Sequence, residues 1–149
     1  MKKYVWIALA LLVVIQFINS RLPETAPAGI KDVAVSENVP PDVKMLMKNA
    51  CYDCHSMETT YPWYSYVAPV KWLVKSDILE ARHHVNFTDW ADYSVKEKVK
   101  KLDDIHEELE KGDMPPSDFT MMHAHARLSE ADRKKIINWA DSTSNKYLH

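Results

Sequence analysis

The chain has 149 residues with 19 basic and 21 acidic side chains, and its net charge of −2 excludes the basic surface of a nucleic-acid-binding protein. Its two glycines argue against a glycine-rich phosphate loop and suit a helical chain. Without the apolar N-terminus about 130 residues remain, which is enough for one domain.

The N-terminus is a short basic start followed by an apolar run. Lys2 and Lys3 precede residues 4–18, which only Gln16 interrupts. The run of about 15 residues lies between a signal-peptide core and a membrane span of about 20. Because no small-residue cleavage site follows, we predict that residues 1–20 form an apolar helix that anchors the chain in a membrane, with the rest exported. Removal as a signal segment is the alternative.

A proline-rich stretch separates this segment from the rest of the chain. Residues 21–41 contain four prolines and few large apolar side chains, which predicts an extended or disordered linker. The domain proper is then expected over residues 42–149.

The domain shows helical signals throughout. Apolar residues at three- and four-residue spacing predict helices over residues 42–50 and 76–85. A capping box at Ser94 opens a helix that Gly112 ends, and Ser129 opens the last helix, which runs to about residue 142. Residues 61–69 are rich in aromatic side chains but hold two prolines, so they cannot form a regular helix throughout. These patterns predict an all-α domain.

The motif Cys51-Tyr52-Asp53-Cys54-His55 contains both cysteines of the chain. A C-x-x-C-H run is the attachment signature of c-type haem, in which each thiol forms a thioether and the histidine binds the iron. Two alternatives use the same cysteines: a redox dithiol, and a zinc site completed by other side chains. The histidines that are candidates for such a zinc site are His83, His84, His106, His123 and His125.

A second segment offers a ligand for the sixth position of the iron. Met114 stands before Pro115 and Pro116, which stiffen the loop that carries its thioether. We therefore predict Met114 as the sixth ligand. Competing ligands are Met121, Met122, His123 and His125, whereas Met57 is tied to the His55 side of the iron.

Parts of the chain resemble the small haem-binding domain of bacterial membrane-anchored c-type cytochromes. The resemblance covers about residues 40–142 and rests on residues 49–56, 63–65, 68–70 and 112–116, and on His123, Ala126, Leu128 and Ser129. It implies a small cytochrome c-like helical fold around one covalent haem at Cys51 and Cys54, with His55 as an axial ligand. Met114 falls where that family has its Met-Pro-Pro element, whereas Ala124 replaces the proline that often follows at His123.

Together these features predict a membrane-tethered monohaem electron carrier with one covalent haem c, whose redox partner the sequence does not identify. The domain is expected in the periplasm of a bacterial envelope, held to the inner membrane by its N-terminal helix. A haem-based sensor or peroxidase-like enzyme with a displaceable sixth ligand is the alternative, and a dithiol oxidoreductase is the third hypothesis.

Overall fold

The computed structural model describes residues 2–18 and 20–149, and within them the chain forms helices and no β-strand. This confirms the predicted all-α class. The α-helices are α1 (Lys2–Ile15), α2 (Val33–Ser36), α3 (Pro41–Ala50), α4 (Tyr52–His55), α5 (Val70–His84), α6 (Val95–Lys111), α7 (Ser117–Met122) and α8 (Glu130–Leu148). Short 3₁₀ helices cover Trp63–Tyr66, Phe87–Asp92 and Ala124–Ala126.

Helices α6 and α8 form the packed centre of the domain, and both begin at the predicted capping boxes. The Ser94 hydroxyl accepts from the Glu97 amide, while the Glu97 carboxylate accepts from the Ser94 amide at 2.8 Å. Ser129 opens α8 in the same reciprocal way. Gly112 ends α6 with a φ of 78°, a left-handed conformation that a side chain would disfavour.

The hydrophobic core lies where α6 and α8 meet α3 and the 3₁₀ helix Phe87–Asp92. Trp90 is its fully buried centre, and its indole Nε1 donates to the Glu37 carboxylate at 2.6 Å. The core also contains Val33, Val39, Val43, Met47, Tyr52, Val85, Phe87, Leu102, Leu109, Ile136, Trp139 and Ala140. Helix α6 is buried at Leu102 and Leu109, whereas Val95 in the first turn is exposed.

The segment predicted as a linker is part of this packed domain. Residues 20–29 form no regular helix or strand, but Val33 and Val39 are buried in the core and Val33–Ser36 forms the short helix α2. The Asp32 carboxylate caps α2 by accepting from the Ala34 amide at 2.8 Å. Helix α2 packs against the 3₁₀ helix that contains Trp90, which anchors this segment to the core. The packed domain thus begins before residue 42.

Two helices extend beyond their predicted bounds. Helix α5 begins at Val70 rather than residue 76, because Pro69 occupies the N-cap, where its missing amide N–H costs no hydrogen bond. Helix α8 continues past residue 142 to Leu148. Its last turns are held by buried Thr143 and Ser144 and by Tyr147, whose hydroxyl donates to Glu37.

The apolar N-terminal run forms helix α1, which ends at Ile15. It ends there because the Gln16 side chain turns back to bond the Leu12 carbonyl and also pairs with Ala68 of the domain. At 14 residues α1 is about 21 Å long, shorter than the roughly 30 Å of a bilayer core. Among the described residues, no helix has both the length and the apolar character needed to cross a membrane. The structure therefore does not support the prediction of a transmembrane helix.

An ion pair between α6 and α8 makes the stability of the fold depend on pH. His106 Nδ1 lies 2.7 Å from Asp141 Oδ1, and its Nε2 lies 3.6 Å from Glu110. The hydrogen bond to Asp141 raises the pKa of His106 above its ordinary value. Protonated His106 therefore stabilises the fold below that ordinary value, and the contribution is lost as the pH rises through the raised pKa.

We expect His106→Gln to lower the free energy of unfolding at pH 5 and to change it little at pH 9. The loss will be under about 1 kcal/mol because the pair is exposed to solvent. Urea unfolding at both pH values measures it. His83→Gln, at an exposed position on α5, is the control, and an equal loss at both pH values for His106→Gln would contradict the expectation.

Candidate haem-binding site

The C-x-x-C-H motif forms a single helical turn directly after α3. The Cys51 amide donates to the Met47 carbonyl at 2.8 Å, so Cys51 ends α3. The Cys51 carbonyl then accepts from the amides of Cys54 and His55 at 3.2 and 2.9 Å, which closes the short helix α4. Residues three and four apart on a helix share a face, so this turn brings Cys51, Cys54 and His55 together. Both cysteines are free and half-buried.

The imidazole of His55 is oriented by the end of α5. Its Nδ1 lies 3.1 Å from the Ala81 carbonyl oxygen and 3.2 Å from that of Val85. Carbonyl oxygens only accept, so Nδ1 carries the proton and Nε2 carries the lone pair that binds a metal. Burial lowers the pKa of His55, which favours the neutral ring. Such a bond on the far nitrogen is the arrangement that orients a metal-binding histidine.

The two thiols are unlike those of a redox dithiol. Burial raises the pKa of Cys51 to about 12, and the neighbouring Cys54 adds to the rise. Burial also raises the pKa of Cys54 to about 11, with further contributions from the charges of Asp53 and Asp77. A dithiol oxidoreductase needs a thiolate and therefore a lowered pKa. These environments disfavour the dithiol hypothesis.

The motif is fixed to the core through Tyr52, its second residue. Tyr52 is buried, its ring packs 5.4 Å from that of Phe87, and its hydroxyl donates to Asp32 Oδ1 at 2.8 Å. Asp32 is itself buried, in the segment that the sequence analysis treats as a linker. The sequence offers no signal for this pair because its partners are twenty residues apart.

Arg82 of α5 holds the chain that follows the motif. Its guanidinium donates to the Ser56 carbonyl at 2.9 Å, to the Thr59 hydroxyl at 3.0 Å and to the Glu24 carbonyl at 2.9 Å. One side chain thus joins α5, the chain after the motif and the extended N-terminal segment. Sequence reasoning missed Arg82 because two of its three acceptors are backbone carbonyls, which leave no mark in the sequence.

Met114 lies on a separate loop, between α6 and α7. Its amide donates to the Glu108 carbonyl at 3.3 Å, its side chain is half-buried, and Pro115 after it is buried. Asp118, four residues further on, is near enough to Cys54 for its charge to add to the effect of burial on that thiol's pKa. The start of α7, which follows Met114, therefore lies within electrostatic range of Cys54.

Three of the four competing ligands are either hydrogen-bonded or exposed to solvent. Both ring nitrogens of His123 are engaged: Nδ1 lies 3.0 Å from the Phe119 carbonyl, and Nε2 accepts from the Tyr64 hydroxyl at 2.9 Å. Met121 and Met122 are 71% and 62% exposed, so their thioethers face solvent.

A cavity of about 420 Å³ opens beside Tyr52 and Asp53 of the motif. His123 and His125 line it, together with Lys48, Asn49, Glu58, Thr60 and Pro62. Lys48 lies 4.0 Å from the centre of the Tyr52 ring and forms an ion pair with Glu58. The cavity therefore has polar walls and lies beside Tyr52 and Asp53, the two middle residues of the motif.

The zinc alternative requires additional ligands near the cysteines. In residues 2–18 and 20–149, no three His, Cys, Asp or Glu side chains are grouped so that they could hold a metal ion. His83 and His84 are exposed at the end of α5, and His106 pairs with Asp141. The site formed by Cys51, Cys54 and His55 instead fits haem, which needs two thiols and one oriented imidazole.

The comparison with protein families decides the question of membership. The sequence model of the haem-binding domain family matches residues 10–142, which is most of the chain. The chain belongs to the haem-binding domain family. Neither the curated proteins nor the solved structures include a match to it. The matched span of this haem-binding domain includes α2–α7, most of α8, the motif and the Met114 loop.

Proposed function

We propose that this haem-binding domain is a monohaem c-type cytochrome that carries single electrons. Cys51 and Cys54 hold one haem through thioethers, and His55 and Met114 are its axial ligands. The haem supplies one-electron redox chemistry when it is bound. The observation that carries the proposal is the orientation of His55, whose Nδ1 is held by two carbonyl oxygens while its Nε2 stays available beside two free thiols.

The surrounding residues have supporting roles in this proposal. Tyr52 and Arg82 fix the turn that carries the thiols, which keeps both sulfurs on one face. Met114 fills the sixth position, so no coordination site stays open for oxygen or peroxide. An electron carrier needs no open coordination site, because only the charge of the iron changes when an electron is transferred. The protein accepts one electron from a reduced partner protein and passes it to an oxidised one.

The proposal includes attachment to a membrane and a location outside the cytoplasm. Helix α1 exposes apolar side chains along its whole length and buries none, which suits partition into lipid. Lys2 and Lys3, in the first turn of α1, add attraction to anionic lipids, and the proposed location of the domain is the periplasmic face of a bacterial inner membrane. Such a tether raises the effective concentration of partners at the membrane.

Carbon monoxide binding to Met114→Ala tests the proposed ligand set. The reduced wild type should bind carbon monoxide little, because Met114 fills the sixth position, whereas Met114→Ala should bind it rapidly. The variant should also lose any sulfur-to-iron absorption band and have a lower reduction potential. Flash photolysis, absorption spectra and a redox titration measure these effects.

Met121→Ala is the matched control, because Met121 is exposed on the neighbouring helix α7. It should keep the wild-type spectrum and potential. An unchanged spectrum in Met114→Ala would remove Met114 from the site. Rapid binding to the wild type would instead favour a sensor or enzyme with a displaceable ligand.

A further inference from the structure

An exposed apolar patch lies on the domain beside the foot of α1. Trp63 is 78% exposed, Tyr66 60% and Leu73 63%, and Val67 and Val70 are also exposed. Large apolar side chains that cluster on a surface indicate a binding surface, whereas isolated ones do not. These five residues are called the aromatic patch below.

Local geometry brings the members of the aromatic patch to one side. Trp63 and Tyr66 are three residues apart in a 3₁₀ helix, where side chains at that spacing lie one above the other. Val70 and Leu73 are likewise three apart at the start of α5, and the 3₁₀ helix packs against α5. The patch therefore lies on two adjoining elements, the 3₁₀ helix and the first turn of α5.

Gln16 connects the patch to α1. Its Oε1 accepts from the Ala68 amide at 2.9 Å, and its Nε2 donates to the Ala68 carbonyl at 3.0 Å. This paired contact holds the C-terminal end of α1 at the middle of the segment that carries the patch. After α1, Phe17 and Ile18 are 84% and 53% exposed, so apolar surface continues from the helix towards the domain.

Basic side chains lie within the segment that carries the patch. Residues 59–76 contain Lys71 and Lys75, whereas the acidic side chains Glu58, Asp77 and Glu80 lie just outside this range. Residues 1–23 contain Lys2, Lys3 and Arg21 and no acidic side chain. Basic residues beside a bilayer are attracted to its anionic lipids, and tryptophan and tyrosine favour the headgroup level.

We propose that the aromatic patch docks on the surface of a lipid bilayer, at the headgroup level, and that it lays the domain against the membrane. The proposal rests on the membrane attachment through α1 proposed above and adds a second contact to it. Because Gln16 fixes Ala68 to the foot of α1, insertion of the apolar helix brings the patch to the same surface. The domain then meets its membrane-adjacent partners in one orientation.

The test is a partition measurement on the full haem-loaded chain. Its binding to vesicles of phosphatidylcholine and phosphatidylglycerol is compared with that of Trp63→Ser/Tyr66→Ser/Leu73→Ser. The control, Met45→Ser/Met121→Ser/Leu148→Ser, removes three side chains of 60–71% exposure elsewhere on the domain. We expect the patch variant to partition at least about tenfold more weakly than wild type and the control to match wild type.

Four outcomes separate this proposal from the attachment on which it rests. Equal partition of patch variant and wild type would overturn the patch and leave attachment through α1 standing. No binding of wild type would overturn both, without touching haem content or potential, which are measured on the same samples. A monomer–dimer change in the patch variant, seen by analytical ultracentrifugation, would assign the patch to a second copy and overturn lipid docking. If the triple variant does not fold, Trp63→Ser alone replaces it, with an expected loss of about threefold as support and no loss as refutation.

Discussion

Replacing Cys51 and Cys54 together by alanine is expected to abolish covalent attachment of haem. These are the only cysteines of the chain, and one helical turn holds them on the same face as His55. Without their sulfurs no thioether can form, so haem bound through His55 alone will separate from the chain under denaturing conditions. Haem staining after denaturing electrophoresis measures the loss, which should be complete in the double variant.

Single variants and a neighbour of the cysteines sharpen this prediction. Cys51→Ala and Cys54→Ala should each keep a weaker stained band through the remaining thioether. Asp53→Ala lies between the cysteines and keeps both sulfurs, so it should stain like wild type. A stained band in the double variant would contradict covalent attachment at the motif, and a wild type with two titratable thiols and no stain would favour the dithiol hypothesis.

Trp90→Ala is expected to cause the largest loss of stability of any single substitution in the core. Trp90 is fully buried, packs against Tyr93 and donates to the Glu37 carboxylate. Removal of its ring leaves a cavity and takes away one of the two hydrogen bonds that Glu37 accepts, which costs about 3–5 kcal/mol. Denaturant unfolding of the haem-loaded protein measures the free energy of unfolding.

Trp63→Ala provides the matched control, because it removes the same side chain from a position that is 78% exposed. Its effect should stay within about 0.5 kcal/mol. If Trp90→Ala does not fold, Trp90→Phe replaces it. This variant keeps an aromatic ring without the N–H, and its free energy of unfolding should be about 1–3 kcal/mol below that of wild type. Equal stabilities of the two alanine variants would show that the core does not depend on Trp90.

The elements that the sequence predicts well are those whose determinants lie within a few residues. The capping boxes at Ser94 and Ser129 and the left-handed turn at Gly112 all involve partners no more than four residues apart. The turn formed by the motif is equally local. Such contacts leave a pattern in the sequence. That pattern predicts where α6 and α8 begin and that Cys51 and Cys54 lie close together.

The missed features depend on contacts between distant parts of the chain. Asp32 bonds Tyr52 across twenty residues, and Arg82 reaches Glu24 across fifty-eight. The proline-rich composition of residues 21–41 carries no information about what this segment packs against. Likewise, Gln16 reads as an interruption of an apolar run, whereas it ends α1 by bonding a residue fifty-two positions later.

His55 lies against the C-terminal end of α5, so the end of that helix would affect the electron density at the proposed iron site. A helix C-terminus carries partial negative charge on its last carbonyls, and His55 Nδ1 faces the Ala81 carbonyl of that last turn and the Val85 carbonyl just beyond it. This field would draw the Nδ1 proton outward and enrich Nε2 in electron density, which would stabilise the oxidised state of a metal bound there. In the proposed site, substitutions that fray the last turn of α5 would therefore shift the reduction potential without altering any ligand.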